Sequence, residues 1–225
     1  MKICISIGAE TCDLLKKRVD TAIKLGADLV ELRLDYLRTF SIDRVKDIVG
    51  RISDRCILTL RSSREGGRFR GSEEQRIPIL YELEDLEPAY IDIELHAITK
   101  ERGLSEVCSN TVLIVSKHIL HNTPSTSTLN RWITEVLSYQ GIGKIVSTAK
   151  KFEDNLRVME ALKQAPKGRL ISFCMGEIGL VSRILAPLLG SPIVYTSLNE
   201  ATAPGQIGLS EAHRLYSVLG YENRF

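Results

Sequence analysis

Aromatic side chains are scarce in this 225-residue chain, 6% of the total with a single tryptophan. They are scattered singly, which argues against a base-stacking nucleic-acid surface. An excess of one charge sign is missing too. Thirty basic residues face 28 acidic ones for a net +2, and no basic run is long enough to track a phosphate backbone. The five cysteines (Cys4, Cys12, Cys56, Cys108, Cys174) are odd in number and lack CxxC spacing. Neither a disulfide scaffold nor a zinc site is expected, and a reducing compartment fits. No signal-peptide core opens the chain. The longest uncharged run, Ile184 to Asn199, is broken by Pro187, Gly190 and Pro192, too short a stretch to cross a bilayer. The expectation is a cytoplasmic protein without membrane or nucleic-acid partners.

The 44% apolar content is enough for a sizeable core. Eight short apolar, β-branched segments recur, near residues 2–7, 28–34, 55–61, 89–95, 111–116, 143–148, 169–175 and 192–197. Stretches of helical spacing separate them. Leu15, Val19, Ala22 and Ile23 mark one such face; Val45, Ile48 and Val49 a second; Ile77, Leu80 and Leu83 a third. Leu129, Trp132, Ile133 and Val136 mark the fifth, and Leu209, Ala212, Leu215 and Leu219 the last. Ser41 and Asp43 stand where a helix N-cap is expected. Strict alternation implies parallel strands with right-handed crossovers. Eight units at this length predict an α/β fold, one (β/α)₈ barrel domain spanning 1–225. A doubly wound open sheet is the alternative, but Gly8-Ala9-Glu10 after the first strand is no glycine-rich phosphate turn.

In such a barrel the functional site forms at the C-terminal strand ends. Period-2 alternation puts Glu31, Arg33 and Asp35 on one face of strand two, Asp92 and Glu94 on one face of strand four, and Ser116 and His118 together on strand five, with Lys117 turned away. Arg61 closes strand three, and Ser62 to Ser72 reads as an extended βα loop. Inward charges are expensive unless they are paired or face a polar pocket. A salt-bridge cluster plugging the barrel is one reading of them, and a binding site is the other.

Lys144 sits within the apolar stretch Gly143 to Thr148, so its ammonium must be solvated, paired or deprotonated. Either its amine reaches solvent at a strand edge, or it forms imines with carbonyl substrates. Free lysine titrates near 10.4, and burial beside arginines is expected to lower this by roughly three units. His118, one strand away, is suited to accept a proton from the carbon beside an imine.

Glu31-Leu32-Arg33-Leu34-Asp35, Arg61 with Arg64-Glu65-Gly66-Gly67, Ser116 and His118 followed by Thr123-Pro124, Lys144-Ile145, and Thr202 to Gln206 occur in this order. Together they resemble the type I 3-dehydroquinate dehydratases, (β/α)₈ lyases of the shikimate pathway. The resemblance covers nearly the whole chain. It implies that Lys144 forms the Schiff base with 3-dehydroquinate, His118 moves the protons and Glu65 orients His118. It further implies that Glu31, Arg33 and Arg61 bind substrate hydroxyls, that Arg183 pairs with the substrate carboxylate, and that Thr202 and Gln206 close the site. Ser6, Asp92 and Met175 would line or support it. No metal or organic cofactor is implied, and a homodimer is. Three positions depart from the common pattern: Ile119-Leu120 after the histidine, Phe173-Cys174-Met175, and Thr202 in place of serine.

Overall fold

The computed structural model describes residues 1–106, 110–198 and 207–220. Among these residues, eight strands alternate with eight helices. The strands are β1 (Lys2–Gly8), β2 (Leu29–Arg33), β3 (Cys56–Thr59), β4 (Tyr90–Glu94), β5 (Val112–His118), β6 (Ile142–Thr148), β7 (Leu170–Met175) and β8 (Ile193–Ser197). The helices are α1 (Cys12–Lys24), α2 (Ile42–Val49), α3 (Glu73–Glu84), α4 (Leu95–Lys100), α5 (Thr126–Leu137), α6 (Phe152–Gln164), α7 (Leu180–Leu185) and α8 (Leu209–Val218). Every ladder is parallel, in the order β7-β6-β5-β4-β3-β2-β1-β8. Because β8 returns to β1, the sheet curls into a nearly closed barrel. The 3₁₀ turn Ala186–Leu189 touches both β7 and β8 at the remaining seam.

The helices form where apolar residues recur once per turn. In α1, Leu15, Val19 and Ala22 are buried, and Thr11 caps the N-terminus by accepting from the Leu14 backbone N–H at 3.3 Å. In α5 the buried face is Leu129, Ile133 and Val136. Ser41 occupies the N-cap position of α2, though without a side-chain cap bond.

Two predicted faces need correction. At α8, Leu219 falls just past the helix end and is exposed, and Leu215 is only half-buried. Tyr216 is buried in their place, seven residues after Leu209, with its hydroxyl donating to the Ile184 carbonyl at 3.1 Å. On α3 the buried residues include Glu73 and Arg76 as well as Leu80 and Leu83. Arg76, 1% exposed, donates to Glu73, to Glu94 at 2.8 Å and to the Leu60 carbonyl at 2.8 Å. A charge survives there because two carboxylates and a carbonyl accept from all three of its nitrogens. The helices α4 and α7 have six residues each, too few for a periodic apolar face to stand out in the sequence.

The strand cysteines Cys4, Cys56 and Cys174 are free and buried; Cys174 is not merely apolar, since its thiol donates to the Asp154 carbonyl at 3.7 Å and contacts the Ser147 hydroxyl at 3.4 Å. Cys108, Thr202 and Gln206 lie outside the described residues. Among the described residues, no helix is long and apolar enough to cross a membrane.

Candidate active site

Alternation along the strands decides which side chains enter the barrel. On β5, Ser116 and His118 point in, while Lys117 turns outward and lays its amine 4.8 Å from the centroid of the Trp132 ring. In the β5–β6 ladder Ser116 is opposite Lys144 and His118 opposite Val146. The two candidate reactive groups therefore stand on adjacent strands about 4.8 Å apart, one inward step from each other. Both line a cavity of about 310 Å³ at the C-terminal strand ends. Ser6, Glu31, Arg33, Arg61, Glu65, Met175 and Arg183 line it too, so nine of the predicted site residues meet in one place. Asp92 is buried beneath them, and Arg33 donates from Nε and Nη2 to the two Asp35 oxygens, each at 2.8 Å.

Lys144 is 4% exposed. Its surroundings correct the expectation of an amine flanked by arginines. The ammonium donates to Asp92 Oδ2 at 2.8 Å, lies 3.8 Å from Glu31 Oε1, and sits 4.0 Å from the centroid of the Tyr195 ring. Arg61 is on the far side of Asp92, donating to Oδ1 at 2.6 Å and to Ser116 Oγ at 2.7 Å, while Ser116 donates to the same Oδ1 at 2.6 Å. Burial would raise the Asp92 carboxyl, but the Arg61 and Lys144 charges override it and hold it well below the usual carboxylate range. Glu31 accepts from Ser6 Oγ and from Thr59 Oγ1 at 2.9 Å. The inward charges are thus a paired network and the floor of a cavity at once.

His118 is held from the β3–α3 loop. Glu65 accepts the His118 backbone N–H at 2.8 Å and contacts imidazole Nδ1 at 3.1 Å. Burial, together with the Arg61 and Lys144 charges, keeps the imidazole well below its usual pKa, so its ring is neutral at pH 7 with a lone pair free to accept a proton. Glu65 moves the other way. Burial and the nearby Glu94 carboxylate push it up to about 7 against the pull of Arg61. A neutral base and a carboxyl poised near neutrality share one contact.

The loop geometry explains the two glycines after Glu65. Gly66 has φ of +80°, and a Cβ on Gly67 would fall 2.1 Å from the Arg61 carbonyl oxygen, so a side chain at Gly67 requires the backbone to move. Glu94 anchors the same loop by accepting the Ser62 backbone N–H at 2.8 Å, and Arg76 holds Glu94 from behind. Leu120, at one of the positions departing from the family pattern, lines the cavity, and its Cδ2 lies 3.0 Å from where a Cβ on Gly66 would be. Thr148 donates to the carbonyls of Ile119 at 3.1 Å and Leu120 at 2.9 Å, fixing the chain beside the base.

Arg183 is 3% exposed with its guanidinium carbon 4.3 Å from the Phe173 ring centroid. Burial lowers its pKa to about 10, leaving it cationic at pH 7. Tyr195 and Thr59 belong to the site and were missed by sequence reasoning; alternation on β8 and β3 was the available signal. Among the described residues, no group of three or more His, Cys, Asp or Glu is placed to hold a metal ion.

Comparison with known proteins agrees with this fold. The family model for type I 3-dehydroquinase matches residues 3–223. A 3-dehydroquinate dehydratase from Dehalococcoides mccartyi is 34% identical over 201 residues, covering 88% of this chain and 89% of that protein. Another, from Desulfotalea psychrophila, is 34% identical over 227 residues, covering 96% and 97%. The crystal structure of the 3-dehydroquinate dehydratase from Aquifex aeolicus superposes with a TM-score of 0.83 at 32% identity, over 97% of this chain and 98% of that one. The Geobacillus kaustophilus enzyme gives 0.83 at 26% identity, over 99% and 92%. With the family model matched from end to end and relatives above 30% identity, the chain belongs to the type I 3-dehydroquinase family of dehydratases.

Proposed function

We propose that this single-domain barrel dehydrates 3-dehydroquinate to 3-dehydroshikimate through an imine on Lys144. The observation that carries the reading is a buried amine facing the same cavity as a neutral imidazole held by a carboxyl group. The amine releases Asp92, loses a proton and attacks the substrate ketone; departure of water leaves a protonated imine. That imine acidifies the neighbouring carbon. His118, whose Nδ1–H donates to Glu65, accepts the proton at its other nitrogen. The electron pair left behind forms the new carbon–carbon double bond as the β-hydroxyl departs, taking a proton from His118 to become water. Hydrolysis of the imine then frees the conjugated product and restores the amine, for a net loss of one water.

Arg183 offers a guanidinium fork for the substrate carboxylate. Glu31, Arg33 and Arg61 take its hydroxyls, Ser6, Asp92 and Met175 support them, and Thr202 and Gln206 close the site. The step belongs to the shikimate route toward aromatic amino acids. Homodimer assembly, a cytoplasmic location and turnover without metal or organic cofactor complete the reading as expectations carried from the family.

Incubation with 3-dehydroquinate and borohydride tests it. The expected result is a reduced adduct on the Lys144 peptide by mass spectrometry, with the conjugated product formed when borohydride is omitted. Lys144→Ala should lower turnover by more than about a thousandfold while substrate binding stays measurable. An adduct without the conjugated product would indicate an aldolase-type lyase. Binding with neither adduct nor product would indicate a sensor.

A further inference from the structure

Tyr195 is 4% exposed and lines the cavity from β8. Its ring face covers the Lys144 ammonium at 4.0 Å from the centroid, a contact that phenylalanine would make as well. Its hydroxyl oxygen is buried and, among the described residues, has no hydrogen-bond partner. An unpaired buried hydroxyl is destabilising, so the resting structure gives no reason for tyrosine here. The carboxylates beside the ring offer one. The amine that the ring covers donates to Asp92 at 2.8 Å and lies 3.8 Å from Glu31. Burial first, and these two carboxylates among its neighbours, raise the pKa of the hydroxyl and keep it a donor.

An ammonium has three N–H donors, whereas the imine nitrogen keeps one at most. When the lysine nitrogen turns to a substrate, Asp92 loses a donor and Glu31 a neighbouring positive charge, while both remain buried. We propose that Tyr195 is a positioning residue whose O–H takes over as donor to the Glu31–Asp92 carboxylate pair once the Lys144 nitrogen is committed to the substrate. The ring holds the amine in place before the reaction. The hydroxyl, idle at rest, steadies the floor of the site during it. No proton leaves the phenol, so the chemical balance of the dehydration is unchanged.

This assignment rests on the dehydratase reading and is tested with Tyr195→Phe, which keeps the ring and removes only the hydroxyl. A hydrogen bond to a charged acceptor made only after the amine has reacted predicts kcat lower by about tenfold to a hundredfold, with KM within about twofold of the parent. The variant's thermal midpoint should equal or exceed the parent's, because a hydroxyl without a resting partner is lost. An unchanged kcat, a rise confined to KM, or a lower midpoint would each overturn the assignment while leaving the dehydratase reading standing. A parent protein inactive on 3-dehydroquinate would overturn both.

Discussion

Replacing Glu65 by glutamine separates stability from activity in a way few site substitutions can. Glutamine keeps an acceptor oxygen for the His118 backbone N–H and the imidazole but cannot ionise. In the folded protein the Glu65 carboxyl rises from 4.5 to about 7, led by burial, which corresponds to roughly 3 kcal/mol between its protonated and ionised forms. A raised folded pKa means that the stabilising contribution is complete below 4.5 and is lost as pH climbs through about 7. The parent therefore loses this stability across that window, and E65Q does not. Urea unfolding followed by circular dichroism should show the two proteins equally stable near pH 4.5, with the variant ahead by up to about 3 kcal/mol above pH 7. Activity runs the other way. The kcat/KM of the parent should fall as pH drops below about 7, where Glu65 takes up a proton and ceases to polarise His118. E65Q should be slower by about a hundredfold at pH 8 and lack that limb. A stability difference that stays flat from pH 4.5 to 8, or an acid limb that survives in the variant, would refute the claim that Glu65 titrates near neutrality beside the base.

Two further substitutions probe the parts of the site that hold the substrate and the loop. Arg183→Gln removes a buried cation, and losing a charge-assisted pair should lower kcat/KM by about tenfold to a hundredfold, mostly through KM; steady-state kinetics with an unchanged KM would remove Arg183 from carboxylate recognition. Gly67→Ala puts a methyl group 2.1 Å from the Arg61 carbonyl, so the loop must shift and carry Glu65 off His118. Stability should fall by about 1–3 kcal/mol and kcat with it, and an alanine variant with parental kcat would show that the loop has more room than its backbone allows.

The barrel was legible because its signals are local. Apolar residues at period 2 and at helical spacing repeat eight times, and each repeat states its own type without reference to the others. The same period put Lys144, His118, Glu31 and Asp92 on inward faces, since a strand offers two faces only. Where the signal was short or mixed, the reading failed: six-residue α4 and α7 show no period, and α3 hides Arg76 on an inward face that composition assigns to solvent.

Which residue meets which was another matter. Lys144 on β6 meets Asp92 on β4 and, across the β7–β8 seam, Tyr195 on β8, 52 and 51 positions distant in the chain. Those meetings depend on ladder register and on the closing of β8 against β1, and both are set by packing across the whole barrel. The chain alone determined that a lysine and a histidine would stand on neighbouring strands near the strand ends, and left open whether the amine is buried. Only the folded barrel decided that carboxylates and a phenol ring, not arginines, would surround its amine, because inward side chains from non-adjacent strands become neighbours only once the sheet has curled.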